Sequence, residues 1–477
     1  MNCRGNAGSA YILTLIALTL LSILGFYMTL SSNTGVQISD NYETQIQATY
    51  AALAGMNHAH TLIRGLSLDD LLRGPDGAYS VESSYLIQAK GFGFRNPLPL
   101  ITALSLNILD PSIAPASDDG LISTGSYGGS NGTVLIPPGG IVFSSENPYG
   151  PGQVSTARYF VKVTDNNGEA SEIAGDPSDN PFIDGDGTVI ARSIGLSRTF
   201  SEPTGPVLRL NSAAIFESRF KRLSTFDSGP ALVAIGSEIS ASFQGAYEIL
   251  GGSYPGIGTI DTDTADDSHP DEVMRAAAPD GNISGGDLAK PSIQDISSQT
   301  AANPDKSLLL NPRYLREFTR TRMRQIADFY FEGDQYWSDG SFPYAGFYDP
   351  AKAWNAPGQD PKITVVNGNL QIDGDFTGGG LLIVTGNLSC SGSYGFNGLV
   401  LVIGSGSVDS DGSGQGIVGG FLVASLIGEG ESLAFGSPSI TIRGSSRFVS
   451  NRDAVKTAIA LIPVSRTSFR EIAGSDP

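Results

Sequence analysis

The pattern of apolar and polar positions changes character three times along the 477 residues. From Ala10 to Leu30 the chain reads AYILTLIALTLLSILGFYMTL without a charge, and as a helix this run covers about 30 Å, the hydrocarbon thickness of a bilayer. Polar residues then enter, but the helical spacing persists. Tyr42, Ile46, Tyr50, Leu53 and Met56 recur at three- or four-residue steps among Ala48, Ala51, Ala52, Ala54 and Ala59. This predicts one long helix over residues 9–66, apolar all round at first and amphipathic afterwards. Arg4 is the only charge ahead of the run and none follows until Asp40, which places a short N-terminus in the cytoplasm and the bulk of the chain outside.

After Leu66 the helical period stops. Residues 67–206 alternate Gly, Pro, Ser and Asn clusters with short apolar runs such as TVLIPPGGIVF, a pattern of short strands and long connections. Two stronger runs, Ala157 to Val163 and Thr188 to Gly195, flank an acidic loop and predict a hairpin with a long tip. Residues 207–260 continue with strand-like VLRLNSAAIFESRF and ALVAIGSEISASFQGAYEIL. Residues 261–360 read as an insertion, an acidic run from Asp261 to Glu272 followed by an Arg-rich helix that Asn311-Pro312 caps and opens. Its apolar positions are Leu315, Phe318, Met323, Ile326, Phe329 and Tyr330, with Arg313, Arg316, Arg320, Arg322 and Arg324 alongside. This basic face is a docking surface for an acidic partner or for this protein's own acidic loops, or an ordinary solvated face, the last being the commoner use.

Residues 361–450 repeat themselves. Gly368-Asn369-Leu370 returns as Gly386-Asn387-Leu388, Gly404 continues the step, and the apolar quartets Leu381 to Val384 and Leu399 to Val402 keep the same offset of 18. Phe421 to Ala424 adds a turn after a small insertion, and ALVAIGSEISASF near Ala231 resembles LLIVTGNLSCSGS. Such self-similarity predicts a parallel β-solenoid-like repeat, with Cys390 a small core residue in register with Ile372 and Val408. The expected fold is therefore mainly β, with a loop-rich β middle, behind a long N-terminal transmembrane and amphipathic helix; residues 451–477 are set apart as a tail.

The N-terminus also carries a resemblance. A short leader, residues 1–8, ends in Gly8 and is followed by Ser9-Ala10, the unbroken apolar helix and an Ala-rich helix with Ala-Gly-Met. This resembles the PilX-type type IV pilus assembly proteins, as does the order of strand, acidic loop and strand. The resemblance implies cleavage by prepilin peptidase between Gly8 and Ser9, retention of the helix, and packing against other minor pilins and pilus assembly proteins. The insertion and packing residues are then Ala10, Ile12, Leu13, Leu15, Ile16, Leu18, Leu20, Leu21, Ile23, Leu24, Phe26 and Leu30. Major pilins carry Glu at the fifth mature position, where this chain has Leu13, so a priming or tip component fits better than the repeating subunit. The alternative is an adhesive or binding module tethered by an uncleaved signal anchor. Either way the expected location is the inner membrane, as a single-pass protein with its bulk periplasmic or extracellular.

Charge and composition narrow the chemistry. A net charge of −19 excludes nucleic acid as a partner of the bulk of the chain, and two cysteines, Cys3 and Cys390, give no disulfide framework. Asp165, Asn167, Asp176, Asp179, Asp184 and Asp186 crowd the acidic loop. These oxygen donors suit Ca²⁺, and the same residue types serve Asx-turns. No other cofactor is implied. Catalytic signals are weak: Gly128 to Gly132 matches a nucleophile elbow without its helix, Gly414, Gly416 and Gly419 precede a strand, and only three histidines exist. Asp373, Asp375, Asp409 and Asp411 lie in the repeat, where they are also ordinary turn residues. The expectation is a protein without enzymatic activity.

Overall fold

The structure is a computed structural model that describes residues 7–63, 68, 141–146, 154–166, 187–200, 212–222, 225–227, 229–263, 269–278, 282–303, 305–341, 343–352, 358–413 and 416–472. Helix α1 spans Ala7–Ile63, as the continuous helical periodicity and the absence of proline predict. Strands β1 (Ile141–Glu146), β2 (Val154–Asp165), β3 (Thr188–Phe200) and β4 (Ser212–Lys221) form an antiparallel sheet in chain order, and the C-terminal strand Ser465–Ile472 pairs beyond β4. The predicted hairpin is β2–β3, closed at its tip by the pair Asp165 and Val189. Residues 451–477 are not a tail: helix Arg452–Ala460 and the C-terminal strand belong to the folded body.

Residues 229–462 form a second body inserted between β4 and the C-terminal strand. Its parallel ladders carry the predicted offset, with Leu370 against Leu388, Phe376 against Tyr394 and Leu381 against Leu399. The next corner holds two more residues, around Gly404, Ser405 and Gly406. Val408 therefore pairs with Leu388 and Cys390 with Ser410, which corrects the register expected between Cys390 and Val408; its register with Ile372 and its place in the core stand.

The layers stack in an order that the sequence does not suggest. Along one ladder they run Phe329–Glu332, Lys362–Asn367, Gly380 to Val384, Gly398 to Val402, Gly419 to Ala424, Leu232–Gly236, Ile257–Asp261 and Ile293–Asp295. The section near Ala231 does supply a coil, docked beyond Phe421 to Ala424. Residues 261–360 are not a plain insertion, since they hold coils at both ends of the stack. A helical strap, Ser297 to Ile326, leads from one end to the other across seven strand spacings, about 34 Å.

The apolar quartets lack alternation because both faces of this ladder are covered. Leu382, Val400, Phe421, Leu232, Ile257 and Ile293 stack inside the coil. Ile383, Leu401 and Leu422 face outward, where strap residues Leu315, Phe318 and Met323 and helix residues Val455 and Ala458 bury them. The Gly-Asn repeat has its own reason. The side-chain carbonyl of Asn369 accepts from the Asn387 backbone N–H at 2.8 Å, and that of Asn387 accepts from Ser405 Oγ at 2.6 Å. At the opposite corner Gly380, Gly398 and Gly419 stack with φ of 118°, 144° and 142°, and a Cβ on Gly398 would lie 2.0 Å from the Gly380 carbonyl oxygen.

Candidate functional site: an exposed apolar helix carried on a sheet

The two halves of α1 have opposite surroundings. Ile12, Leu13, Leu15, Ile16, Leu18, Leu20, Leu21, Ile23, Leu24, Phe26 and Leu30 are each at least 49% exposed, and this part is long and apolar enough to cross a membrane. Moving eleven such side chains from water into hydrocarbon is worth roughly 15–30 kcal/mol, so the segment is stable only in an apolar medium. Its hydroxyls do not oppose transfer. Thr19, Ser22 and Thr29 donate to the carbonyls of Leu15, Leu18 and Gly25 at 2.6, 2.8 and 2.7 Å, which satisfies these three hydroxyls within the helix. Gly8, Ser9 and Ala10 lie in the opening turns of α1.

From Thr44 onward one stripe of the helix turns to the sheet. Ala48, Ala51, Ala52, Met56, Ala59 and Ile63 are buried against Tyr159, Val161 and Val163 of β2, Val189 and Ala191 of β3, and Phe216 and Phe220 of β4. Toward the apolar segment of α1 the helix-facing residues of β3 shrink, through Val189, Ala191, Ser193 and Gly195. The approach is closest there: a Cβ on Gly195 would lie 2.0 Å from the Ala48 carbonyl oxygen and 2.4 Å from the Ala52 nitrogen. One on Gly55 would lie 2.3 Å from Ser193 Oγ. Sequence reading missed this pair of contacts, although a lone glycine in strand-like TVIARSIG is the mark of a close backbone approach.

Polar contacts fix the register of helix on sheet. Thr44 Oγ1 and Ser212 Oγ share a hydrogen bond of 2.8 Å near the start of β4, and Arg222 Nη2 donates to the Ile63 carbonyl at 2.7 Å past its end. The inserted body therefore joins at the end of the helix farthest from the apolar segment. His58 Nδ1 lies 2.6 Å from Tyr159 Oη; burial pushes the His58 pKa down and the Tyr159 phenol up to about 12. His60 Nε2 lies 3.1 Å from the Val464 carbonyl oxygen and its ring stacks on Phe220. On the other face, buried Glu217 is held by Arg192 at 2.6 Å and Arg470 at 2.6 Å. Burial raises the Glu217 pKa, but bonds and charge from both arginines more than offset this and keep it below 4.5. The C-terminal strand is thereby clamped to the sheet.

The other candidates fall elsewhere. Asp165 closes β2, whereas Asn167, Asp176, Asp179, Asp184 and Asp186, with Gly128 to Gly132, lie outside the described residues. Among the described residues no group of three or more His, Cys, Asp or Glu is disposed to hold a metal. In the coil, Arg443 Nη2 donates to both carboxylate oxygens of Asp409, at 2.6 and 2.7 Å. Asp373 accepts from Ser391 Oγ at 2.6 Å and Tyr336 Oη at 3.2 Å. Gly416 and Gly419 sit inside strand Gly416–Ile427, so the dinucleotide pattern has no helix to serve it.

No family model matches the chain, and no curated protein matches it. Among solved structures it is similar to the crystal structure of the competence-associated pilin ComZ from Thermus thermophilus, with 10% identity over 90% of this chain and 97% of that one. The TM-score is 0.19, too low to establish a shared fold.

Proposed function

We propose that the chain is a minor-pilin-like component of a type IV pilus-type machine, inserted in the inner membrane by α1 and processed by prepilin peptidase between Gly8 and Ser9. It has no catalytic role. One observation carries the reading: a single helix of 57 residues is apolar and bare over its first half and packed on an antiparallel sheet over its second. A tether needs only the first half. A helix that must hold a folded head in a set orientation while its other end packs among helices in lipid needs both. The priming or tip position follows from Leu13, which supplies no carboxylate for a neighbour's N-terminal amine, and from a head too bulky to repeat along a tight filament.

Site-specific photo-cross-linking tests the reading in cells that assemble the filament. A cross-linker at Leu21 is expected to capture other pilin-type subunits, and one at buried Met56 to give only internal products. Capture of lipid alone at Leu21, Leu15 and Phe26 would favour the tethered adhesive module and sink the proposal.

A further inference from the structure

The basic face of the strap has a geometry that plain solvation does not require. From Asn311 to Ala327 there are five arginines, no lysine and one acid, Glu317, a net charge of +4 in a chain of −19. The Arg-rich part of the strap opens as helix Pro312–Glu317, with the Asn311 side chain accepting from the backbone N–H groups of Arg313 and Tyr314, and closes as helix Met323–Ile326. Between them Phe318–Arg322 forms a π-turn. An α-helix has 3.6 residues per turn, so positions four apart drift around it; a turn closed by i→i+5 bonds holds more residues and takes that drift out. The core side bears this out, since Leu315, Thr319 and Met323, four apart, are all buried. The residues directly after them, Arg316, Arg320 and Arg324, consequently form a straight row about 12 Å long on the flank of the strap.

The row is held ready rather than spent. Arg324 lies over the Tyr330 ring at 5.1 Å, while Arg322 takes the local acid, Glu317, at 3.4 Å and lies over Tyr314 at 5.8 Å. Among the described residues Arg313, Arg316, Arg320 and Arg324 make no ion pair. The inserted body joins beyond Ile63, about 50 Å along the helix from Leu30, so its attachment point lies several screening lengths from the apolar segment in physiological salt.

We propose that Arg316, Arg320 and Arg324, extended by Arg313, dock an acidic polypeptide segment of a neighbouring protein. Guanidinium groups grip carboxylates through two parallel hydrogen bonds, which lysine cannot do. An extended partner segment with Asp or Glu at every second residue presents them on one face at a step of about 6.6 Å, close to the row's step of about 6 Å, and meets it charge for charge. The negative charge elsewhere on this chain repels such a segment from other faces and so fixes where it lands. The inference stands whether or not the N-terminus is processed.

The test uses the full chain in neutral detergent and a fluorescein-labelled oligoglutamate peptide, read by anisotropy at low salt and at about 0.15 M. The wild type is expected to bind and to weaken with salt. The triple variant R316Q/R320Q/R324Q should bind at least about tenfold more weakly with unchanged melting, and the triple lysine variant should fall between. Should the triple variant fail to fold, exposed Arg320→Gln alone is expected to weaken binding severalfold. Equal binding by the glutamine variants, or none by the wild type, overturns the proposal. So does polygalacturonate displacing the probe at lower carboxylate concentration than unlabelled oligoglutamate, which would assign the row to polysaccharide.

Discussion

Replacing Gly195 by alanine tests the helix-on-sheet contact at its tightest point. The added methyl would lie 2.0 Å from the Ala48 carbonyl oxygen and 2.4 Å from the Ala52 nitrogen, and both are backbone atoms of α1 that no rotamer change can withdraw. The helix must move away by about an ångström or more along the stripe from Thr44 to Met56, loosening contacts with Tyr159 and Val161. Overpacking of this kind costs about 1–3 kcal/mol, and the upper half applies because the obstacle is backbone. For a unit of this size about 2–3 kcal/mol lowers the melting temperature by about 4–12 °C. The assay is thermal unfolding of the detergent-solubilised chain, followed by a fluorophore attached to the helix–sheet unit, because both tryptophans, Trp337 and Trp354, belong to the inserted segment. Gly35→Ala is the control: nothing lies within 4 Å of its Cβ, and alanine in an exposed helix position gains about 0.5–1 kcal/mol. Gly195→Ala melting at the wild-type temperature would refute the close packing of α1 on β3.

Other expectations follow from single contacts. Glu217 has a pKa held below its ordinary 4.5, so its contribution is complete above that value and lost as pH falls through the folded one; acid should release the C-terminal strand, and Glu217→Gln should cost about 2 kcal/mol at pH 7 and flatten the acid limb of a melting-against-pH curve. Burial, with a smaller push from Asp409, raises the Cys390 thiol to about 12, so at pH 8 iodoacetamide should leave it unmodified in the native chain and alkylate it on unfolding, read by mass spectrometry. Asn311→Ala removes the acceptor for two N–H groups that open the Arg-rich part of the strap and should lower stability by about 1 kcal/mol in urea unfolding, without disturbing the helix–sheet unit.

How much of this was legible in the sequence depends on the range of the signal. The long helix, the β2–β3 hairpin, the Asn311 cap and the offset of 18 all declare themselves locally, through period, turn residues or self-similarity. Stacking order does not. Nothing near Ala231 tells that Leu232 pairs with Phe421 rather than with a sequence neighbour, because one apolar strand docks on another by pleat alone. The register of Cys390 holds with Ile372 and breaks against Val408, because two extra corner residues after Ile403 leave the apolar pattern intact while shifting the ladder. The C-terminal strand read as a tail because its residues are nearly all exposed; it is fixed by backbone pairing, by Glu217 and by Phe469 stacking on Phe216, none of which leaves a hydrophobic period. The arginine row was visible as composition, but its straightness comes from a π-turn that no residue type announces.

The central claim is that α1 enters a pilin-type pathway, and the N-terminal residue of the membrane-extracted protein tests it most directly. The chain is expressed with and without prepilin peptidase, and Gly8→Val in parallel, and the product is read by mass spectrometry. A mature N-terminus at Ser9 that requires the peptidase and is abolished by Gly8→Val is the predicted result; an intact Met1 under every condition contradicts it.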